Sequence, residues 1–456
     1  MTAERIVILG ADAAGMSAAH EALRTADRQG RSIEVTVLER GRHTSYSACG
    51  IPYWMAGDVR SADDLVARTA EQHREAGIDL RLGVAATGVD PAGRTVATAD
   101  GAVPFDQLVV ATGAHPVVPD WALDDDGTPL DRVGAVHTLD DGEAWLERFA
   151  VAGAGAHVVI VGGGYVGVEV AEAAVRRGFE VTVVTRSRVL SSLEPEMSDR
   201  VATAMTDAGV EVVLDAEVTG LDRDADGTVT AVRWDGGSRP CDLVVVALGV
   251  LPSTGFLEDS GIPLGEKGAL MPDARGRVTE RVWAAGDCCD SVRRLTGDRV
   301  YRPLGTHANK LGRAVGANLA GGRRTFDGIL ETAITRFEGG GQYVEVSRTG
   351  LSLQDARAAA FDPVTLVTEG TTASGYQPEA EPIALWVMAD RITRRLLGVQ
   401  VVGGRGAGKR IDAAAAVLWH GGTVDDLAWM DLSYSPPFST AWEVLQVAAR
   451  RVAERI

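Results

Sequence analysis

Val158-Val159-Ile160-Val161-Gly162-Gly163-Gly164-Tyr165-Val166-Gly167 is the stretch that decides how this chain is read. Four consecutive β-branched residues make a strand with no polar face. Gly162, Gly164 and Gly167 then complete a Gly-x-Gly-x-x-Gly turn opening a helix that reaches about Arg177, and Glu180-Val181-Thr182-Val183-Val184 supplies the next strand. Strand, glycine turn, helix, strand is the mononucleotide-binding half of a doubly wound α/β sheet. The first glycine allows the tight turn, the second lets backbone approach a pyrophosphate, and the third brings helix against strand; the helix N-terminus favours the anion. A glycine-rich turn without a ligand is the plainer alternative. The strand is followed by Thr185-Arg186-Ser187-Arg188. A carboxylate there would accept the ribose 2′-hydroxyl of NAD, whereas guanidinium groups suit a 2′-phosphate. Arg186 and Arg188 therefore point to NADPH ahead of NADH, unless they are two solvated surface arginines.

The same plan stands at the start of the chain. Ile6-Val7-Ile8-Leu9 leads into Gly10-Ala11-Asp12-Ala13-Ala14-Gly15, a helix follows, and the second strand ends at Glu39-Arg40. The middle glycine of the fingerprint is replaced by Asp12. Glu39 stands where a carboxylate takes a ribose diol. Two further strand ends are built of small residues: Ala111-Thr112-Gly113 after Leu108-Val109-Val110, and Gly286-Asp287 after Val282-Trp283-Ala284-Ala285. Small residues there let backbone approach a cofactor, and Asp287 can bond a cofactor hydroxyl. The buried strand Leu243–Leu248 runs into Gly249, and Leu304-Gly305-Thr306-His307-Ala308-Asn309-Lys310 starts a helix running to Leu319 whose N-terminus can face an electron-rich ring edge.

Between the two glycine turns lies Thr44-Ser45-Tyr46-Ser47-Ala48-Cys49-Gly50-Ile51-Pro52-Tyr53. Gly50 and Pro52 force a helix start, so Cys49 is expected at a helix N-terminus, where the dipole favours a thiolate. A small buried hydrophobe is the bland reading of any free cysteine.

At 456 residues the chain is too long for one core. A net charge of −18 disfavours nucleic acid and polybasic membrane binding. The most apolar stretch, residues 157 to 175, carries Glu169 and Glu172 and does not read as a membrane span. Four cysteines in a chain this long are no disulfide framework, and the start shows no signal-peptide pattern, so a cytoplasmic, reducing setting is expected. Residues 62 to 77 read as one helix. From about 326, strands over 331–337, 342–348, 382–389 and 396–402 precede helices over 408–420 and 423–430, and a last helix starts at Ala441.

Two dinucleotide units, the Ala-Thr-Gly and Ala-Gly-Asp strand ends and a third α+β region resemble the flavin-dependent pyridine nucleotide–disulfide oxidoreductases over essentially the whole chain. The lone cysteine in Ser45-x-x-x-Cys49-Gly50-x-Pro52-Tyr53 is similar to the one-cysteine branch, which holds coenzyme A disulfide reductases, NADH oxidases and NADH peroxidases. Tyr434-Ser435-Pro436-Pro437-Phe438 and Gly305-Thr306-x-x-Asn309-Lys310 look most like the coenzyme A disulfide reductases. The resemblance implies an FAD-binding domain in two parts (1–115 and 251–325), an NAD(P)H-binding domain (116–250) and a C-terminal dimerisation domain (326–456).

It further implies FAD on Gly10, Ala13, Ala14 and Gly15, with Glu39, Arg40, Ser47, Ala111, Thr112, Gly113, Gly286, Asp287, Thr306 and His307 around it. NADPH, with NADH also admitted, would lie on Gly162, Gly164, Tyr165, Val166, Gly167, Arg186, Arg188 and Gly249. Tyr165 would gate the nicotinamide pocket and Glu169 would stand near the flavin N5 edge. A homodimer would deliver Tyr434 to the partner's cysteine. Ser45, Tyr376, Asn309, Lys310 and Arg24 would contact the substrate. Three positions depart from the pattern. Ala13 stands where oxidases and peroxidases carry histidine over the cysteine, Ala48 stands where coenzyme A disulfide reductases often carry asparagine, and Tyr376-Gln377-Pro378 replaces a paired-tyrosine stretch. The implied activity is NADPH-dependent reduction of a small thiol disulfide through Cys49. The alternatives are an oxidase, peroxidase or persulfide reductase on the same cysteine, an electron-transfer reductase for a protein partner, and a redox sensor.

Overall fold

A computed structural model describes residues 3–456. Its first sheet has five parallel strands in the order 282–284, 107–110, 4–9, 33–39, 78–82. Ile6, Val7, Ile8 and Leu9 are at most 1% exposed, because helices and strands cover both faces of a parallel sheet. At the end of this central strand Gly10 turns with φ +101°, and a Cβ there would stand 2.2 Å from the carbonyl oxygen of Ala111. Only glycine fits, so the turn lies tight against the neighbouring strand end. Helix α1 (Ala13–Gln29) leaves that turn with no side chain capping its N-terminus.

The segment after the second strand carries the cysteine. Cys49 lies in a 3-10 turn (Ala48–Gly50) that runs into helix α2 (Ile51–Ala56). The expected single helix over residues 62–77 is two short pieces: a 3-10 turn over Ala62–Leu65 and helix α3 (Ala70–Glu75). Thr69 and Gln72 form a capping box that starts α3 afresh, and this breaks the continuity.

The second sheet repeats the plan with five parallel strands, ordered 211–213, 180–184, 157–161, 243–246, 133–134. Helices α4 (Leu139–Ala152), α5 (Tyr165–Arg176) and α6 (Pro195–Asp207) belong to this half. Gly162 has φ +117°, and a Cβ there would meet the Ala247 carbonyl oxygen at 2.2 Å, the counterpart of the Gly10 contact. The chain passes from the first sheet to the second and back through a short antiparallel pair, 114–116 with 250–252.

Helix α7 (Gly305–Leu319) returns to the first sheet and packs on α1. Cβ atoms at Gly312 and Gly316 would strike the carbonyl oxygens of Ala14 and Ala18, so these glycines allow the two helix backbones to touch. The C-terminal region is a five-stranded antiparallel sheet, ordered 333–339, 342–350, 396–403, 382–390, 363–371, followed by helices over 411–419, 424–429 and 444–453. The edge strand 363–371 and the short helix 353–358 were not anticipated from the sequence. Among the described residues, no helix is long and apolar enough to cross a membrane.

Candidate active site

The first glycine loop is tied on both sides. The Ala11 N–H donates to the Glu39 carboxylate at 2.9 Å, and the Gly41 N–H donates to its other oxygen at 2.7 Å. The Ala11 carbonyl oxygen accepts from the Thr44 hydroxyl at 2.6 Å and from the Ser45 N–H at 3.1 Å. One residue, Ala11, thus joins the candidate phosphate turn, the candidate ribose carboxylate and the cysteine segment. Glu39 keeps free lone pairs on both oxygens, which suits a diol.

Asp12 and Asp287 converge on the same place. Burial, with Glu39 and Asp287 nearby, pushes the Asp12 carboxyl up to about 7. Burial alone raises Asp287 to about 6. A carboxyl held close to neutral is compatible with a neighbouring pyrophosphate, where an ionised one would repel it. Ala13 is half-buried, Ala14 and Gly15 are buried, and a Cβ at Gly15 would collide with the Gly10 carbonyl. Space beside Gly113 is open, and Thr112 donates to the Ser253 carbonyl oxygen at 2.8 Å. The N-terminus of α7, with half-buried His307 and exposed Thr306, has no side-chain cap. Arg40 and Ser47 are exposed beside these elements. Uncapped helix ends, a glycine cradle and a diol-ready carboxylate fit FAD.

The second turn fits a dinucleotide equally. Nothing stands within 4 Å of a Cβ placed on Gly164, Gly164 itself is the uncapped N-cap of α5, and Val166 is exposed. Gly249 turns with φ +91° into open space. The buried Tyr165 hydroxyl has no hydrogen-bond partner. Arg186 and Arg188 are exposed and only loosely paired, 4.0 Å from Glu217 and 3.9 Å from Asp199, so both are free to meet a phosphate.

Cys49 lies between the two halves. It is exposed, while Cys241, Cys288 and Cys289 are buried. Cys288 and Cys289 have their sulfurs 3.7 Å apart and pack under the strand end at Val110 and Ala285. The expectation that the helix N-terminus lowers the Cys49 pKa is not met. Surrounding protein raises it despite the thiol's exposure, and Glu169, Asp287 and Asp12 raise it further. The six-residue α2 is too short to offset that surrounding protein and the three carboxyl groups. Glu169 comes from α5. Burial pushes it up to about 7, and the Thr335 hydroxyl of the C-terminal sheet donates to it at 2.7 Å.

The expected substrate residues are scattered. Ser45 lies four residues before Cys49 in the same segment. Asn309 accepts from Ser17 at 3.1 Å and donates to the Gly305 carbonyl oxygen at 3.0 Å, and Lys310 is exposed. Arg24, 44% exposed, pairs with Glu21 alongside Arg313, and the Glu21 carboxylate is only 3% exposed. Tyr376 and Tyr434 are 74% and 52% exposed on the C-terminal region. Sequence reasoning missed His20 and His73, a hydrogen-bonded pair behind Ser45 whose members are 53 residues apart. No sequence spacing links them. Among the described residues no cluster suited to a metal ion is present.

Comparison with known proteins agrees with this arrangement. The pyridine nucleotide-disulphide oxidoreductase model matches residues 4–311, and the dimerisation-domain model of the same family matches 342–445. A protein from Pyrococcus horikoshii named NAD(P)H coenzyme A polysulfide/persulfide reductase is 35% identical over 456 residues, 98% of each chain. A coenzyme A disulfide reductase from Staphylococcus haemolyticus is 24% identical over 445 residues, 95% of this chain and 96% of the relative. The solved NAD-dependent persulfide reductase from A. fulgidus has a TM-score of 0.90 at 31% identity, covering 99% of this chain and 83% of that one. Two glycine turns that each open a helix, one exposed cysteine, and these matches over nearly the whole length lead to one conclusion: the chain belongs to the pyridine nucleotide-disulphide oxidoreductases and is an FAD- and NAD(P)H-dependent oxidoreductase.

Proposed function

We propose that this enzyme is an NADPH-preferring reductase of a low-molecular-weight disulfide, such as coenzyme A disulfide, working through Cys49. The observation that carries the reading is the isolation of that thiol. It is the one exposed cysteine, it has no second cysteine to pair with, and the charged groups acting on it come from both nucleotide-binding halves. In this reading the FAD-binding domain is 1–115 with 251–325, the NADPH-binding domain is 116–250, and 326–456 makes the homodimer.

The Cys49 thiolate attacks the substrate disulfide, one thiol leaves, and the other stays on Cys49 as a mixed disulfide. Bound FAD supplies the path by which two electrons from NADPH reopen that mixed disulfide. Glu169, titrating near 7, can hold or release a proton beside the sulfur at working pH. Tyr434 is exposed in a tail flanked by exposed Trp429, Phe438 and Trp442, a surface suited to a second copy of the chain. There its hydroxyl would protonate the departing thiolate of the other subunit. Arg186 and Arg188 would hold the 2′-phosphate, and Ser45, Asn309 and Lys310 the substrate.

Mass spectrometry of the protein as isolated, before and after reductant, tests this. A small thiol should leave Cys49, its mass should name the substrate, and that disulfide should be turned over with NADPH. Absence of any adduct, together with no turnover of any small disulfide, would contradict the proposal. A second reading, reduction of a coenzyme A persulfide or polysulfide on the same sulfur, is favoured by the name of the relative at 35% identity. The product separates the two: a disulfide yields two thiols per NADPH, a persulfide yields one thiol and one sulfide.

A further inference from the structure

Behind Cys49 lie three side chains that the reaction above does not use. His73 of α3 is 1% exposed. Its Nε2 is 2.9 Å from the Ser45 hydroxyl, and its Nδ1 is 2.8 Å from Nε2 of His20 on α1. An Arg68 nitrogen is 3.1 Å from that same His20 Nε2. His20 Nε2 has one lone pair in the ring plane, and the same Arg68 nitrogen is 3.5 Å from His20 Nδ1, so the direction of the bond between the rings follows the tautomers. Burial, with His20 and Arg68 adjacent, holds His73 at about 4, so the ring is neutral at working pH. A neutral ring has one N–H and one lone pair, and the Ser45 hydroxyl can meet either, so the bond holds the hydroxyl in place in both tautomers. A base this weak cannot ionise a serine, so the chain of bonds serves alignment and not nucleophilic attack.

Ser45 needs that alignment. Its φ is +49°, a left-handed conformation that a residue with a side chain rarely adopts. Such a conformation persists only where the surroundings over-determine it. Here the Ser45 N–H donates to Ala11, its carbonyl oxygen accepts from the Ala67 N–H at 2.8 Å, and the Ser47 N–H donates to Leu65 at 2.9 Å. Residues 45–47 are thereby laced to 65–67, and the capped helix α3 starts three residues further on. The side-chain bond to His73 is the remaining tie, and it comes from the helix that this lacing anchors.

We infer that His73 is a positioning residue: through the Ser45 hydroxyl it fixes the left-handed turn that presents Cys49, and so sets how readily that thiol reacts. The inference rests on Cys49 being the reactive sulfur, and it holds whichever disulfide or persulfide is the substrate.

The test is the rate of Cys49 alkylation by iodoacetamide in the NADPH-reduced holoenzyme, followed through the titration of the thiol. Alkylation needs no disulfide, so a wrong substrate class leaves the outcome untouched. His73→Phe should slow alkylation about tenfold, the equivalent of one hydrogen bond, and displace the pH profile. His73→Gln, whose amide can accept or donate at similar reach, should restore most of the rate. In a Ser45→Ala background His73→Phe should add nothing, because the two act as one unit. Should His73→Phe fail to fold, Ser45→Ala alone carries the test, since it leaves the histidine pair in place and should show the same slowing. An unchanged pH profile in either variant, or an equal slowing by His73→Phe with and without the serine hydroxyl, would overturn the inference.

Discussion

Asp12 occupies the middle glycine position of the first fingerprint, and its carboxyl titrates at about 7 because it is buried beside Glu39 and Asp287. An aspartate in the unfolded chain titrates near 4. Below that value both states hold the proton and the position costs nothing. Between about 4 and about 7 the unfolded chain releases its proton while the folded one retains it, so stability falls as pH rises and the loss is complete above about 7. The full cost is up to about 4 kcal/mol. Asp12→Asn should therefore be more stable than the wild type, by little at about pH 5 and by most at about pH 8, in urea unfolding. A gain independent of pH would show that Asp12 does not titrate in this range. Arg186 and Arg188 make a second prediction at this scale. Charge-assisted contacts to phosphate contribute roughly 1.5–3 kcal/mol, about tenfold to a hundredfold in kcat/KM. Replacing both by alanine should raise KM for NADPH by that order and leave NADH little changed; equal losses with both nucleotides would remove the arginines from phosphate recognition. The two glycine turns and the turn that carries Cys49 into a helix were legible because each is built from residue types that a local pattern demands. The raised thiol of Cys49, the Glu21 partner of Arg24 and the histidine pair were not, since each depends on charges from elements distant in sequence.

At the scale of elements, the joint that holds α2, α5 and the C-terminal sheet together is a charge network. Arg336 donates to Glu172 at 2.9 Å and also to Asp58, and Arg176 joins both carboxylates. The Arg336 guanidinium also lies 5.2 Å from the centre of the Tyr53 ring on α2. The Glu172 side chain is 1% exposed, and its burial outweighs both arginines, so its pKa is still raised. Thr335, the neighbour of Arg336, bonds Glu169 one turn earlier on α5. Removing the guanidinium leaves an under-compensated buried carboxylate, which costs about 3–5 kcal/mol. Arg336→Leu should lower the urea midpoint accordingly, and Arg336→Leu with Glu172→Leu should recover much of it. An Arg336→Leu protein as stable as the wild type would show that the network is a surface decoration. The long parallel strands were readable because strands covered on both faces are unbroken apolar runs. Strand 363–371 was not, because an edge strand buries few of its side chains. The break between the 3-10 turn and α3 was written in Thr69-x-x-Gln72, a capping box inside an otherwise helical stretch.

For the whole molecule, Asp12 and Asp287 from the first half and Glu169 from the second act on one exposed sulfur, and the C-terminal sheet bonds Glu169 through Thr335. The two-fold repeat of strand, glycine turn and helix made this architecture legible, and the match of residues 342–445 to the dimerisation domain accounts for the third region. The central claim, that electrons leave through Cys49, is tested most directly by Cys49→Ser assayed two ways. Serine keeps the shape of the turn but cannot form a mixed disulfide. The variant should retain bound flavin and pass electrons from NADPH to a dye at close to the wild-type rate, while reduction of small disulfides and persulfides falls to background. Disulfide or persulfide reduction that survives in Cys49→Ser would contradict the account.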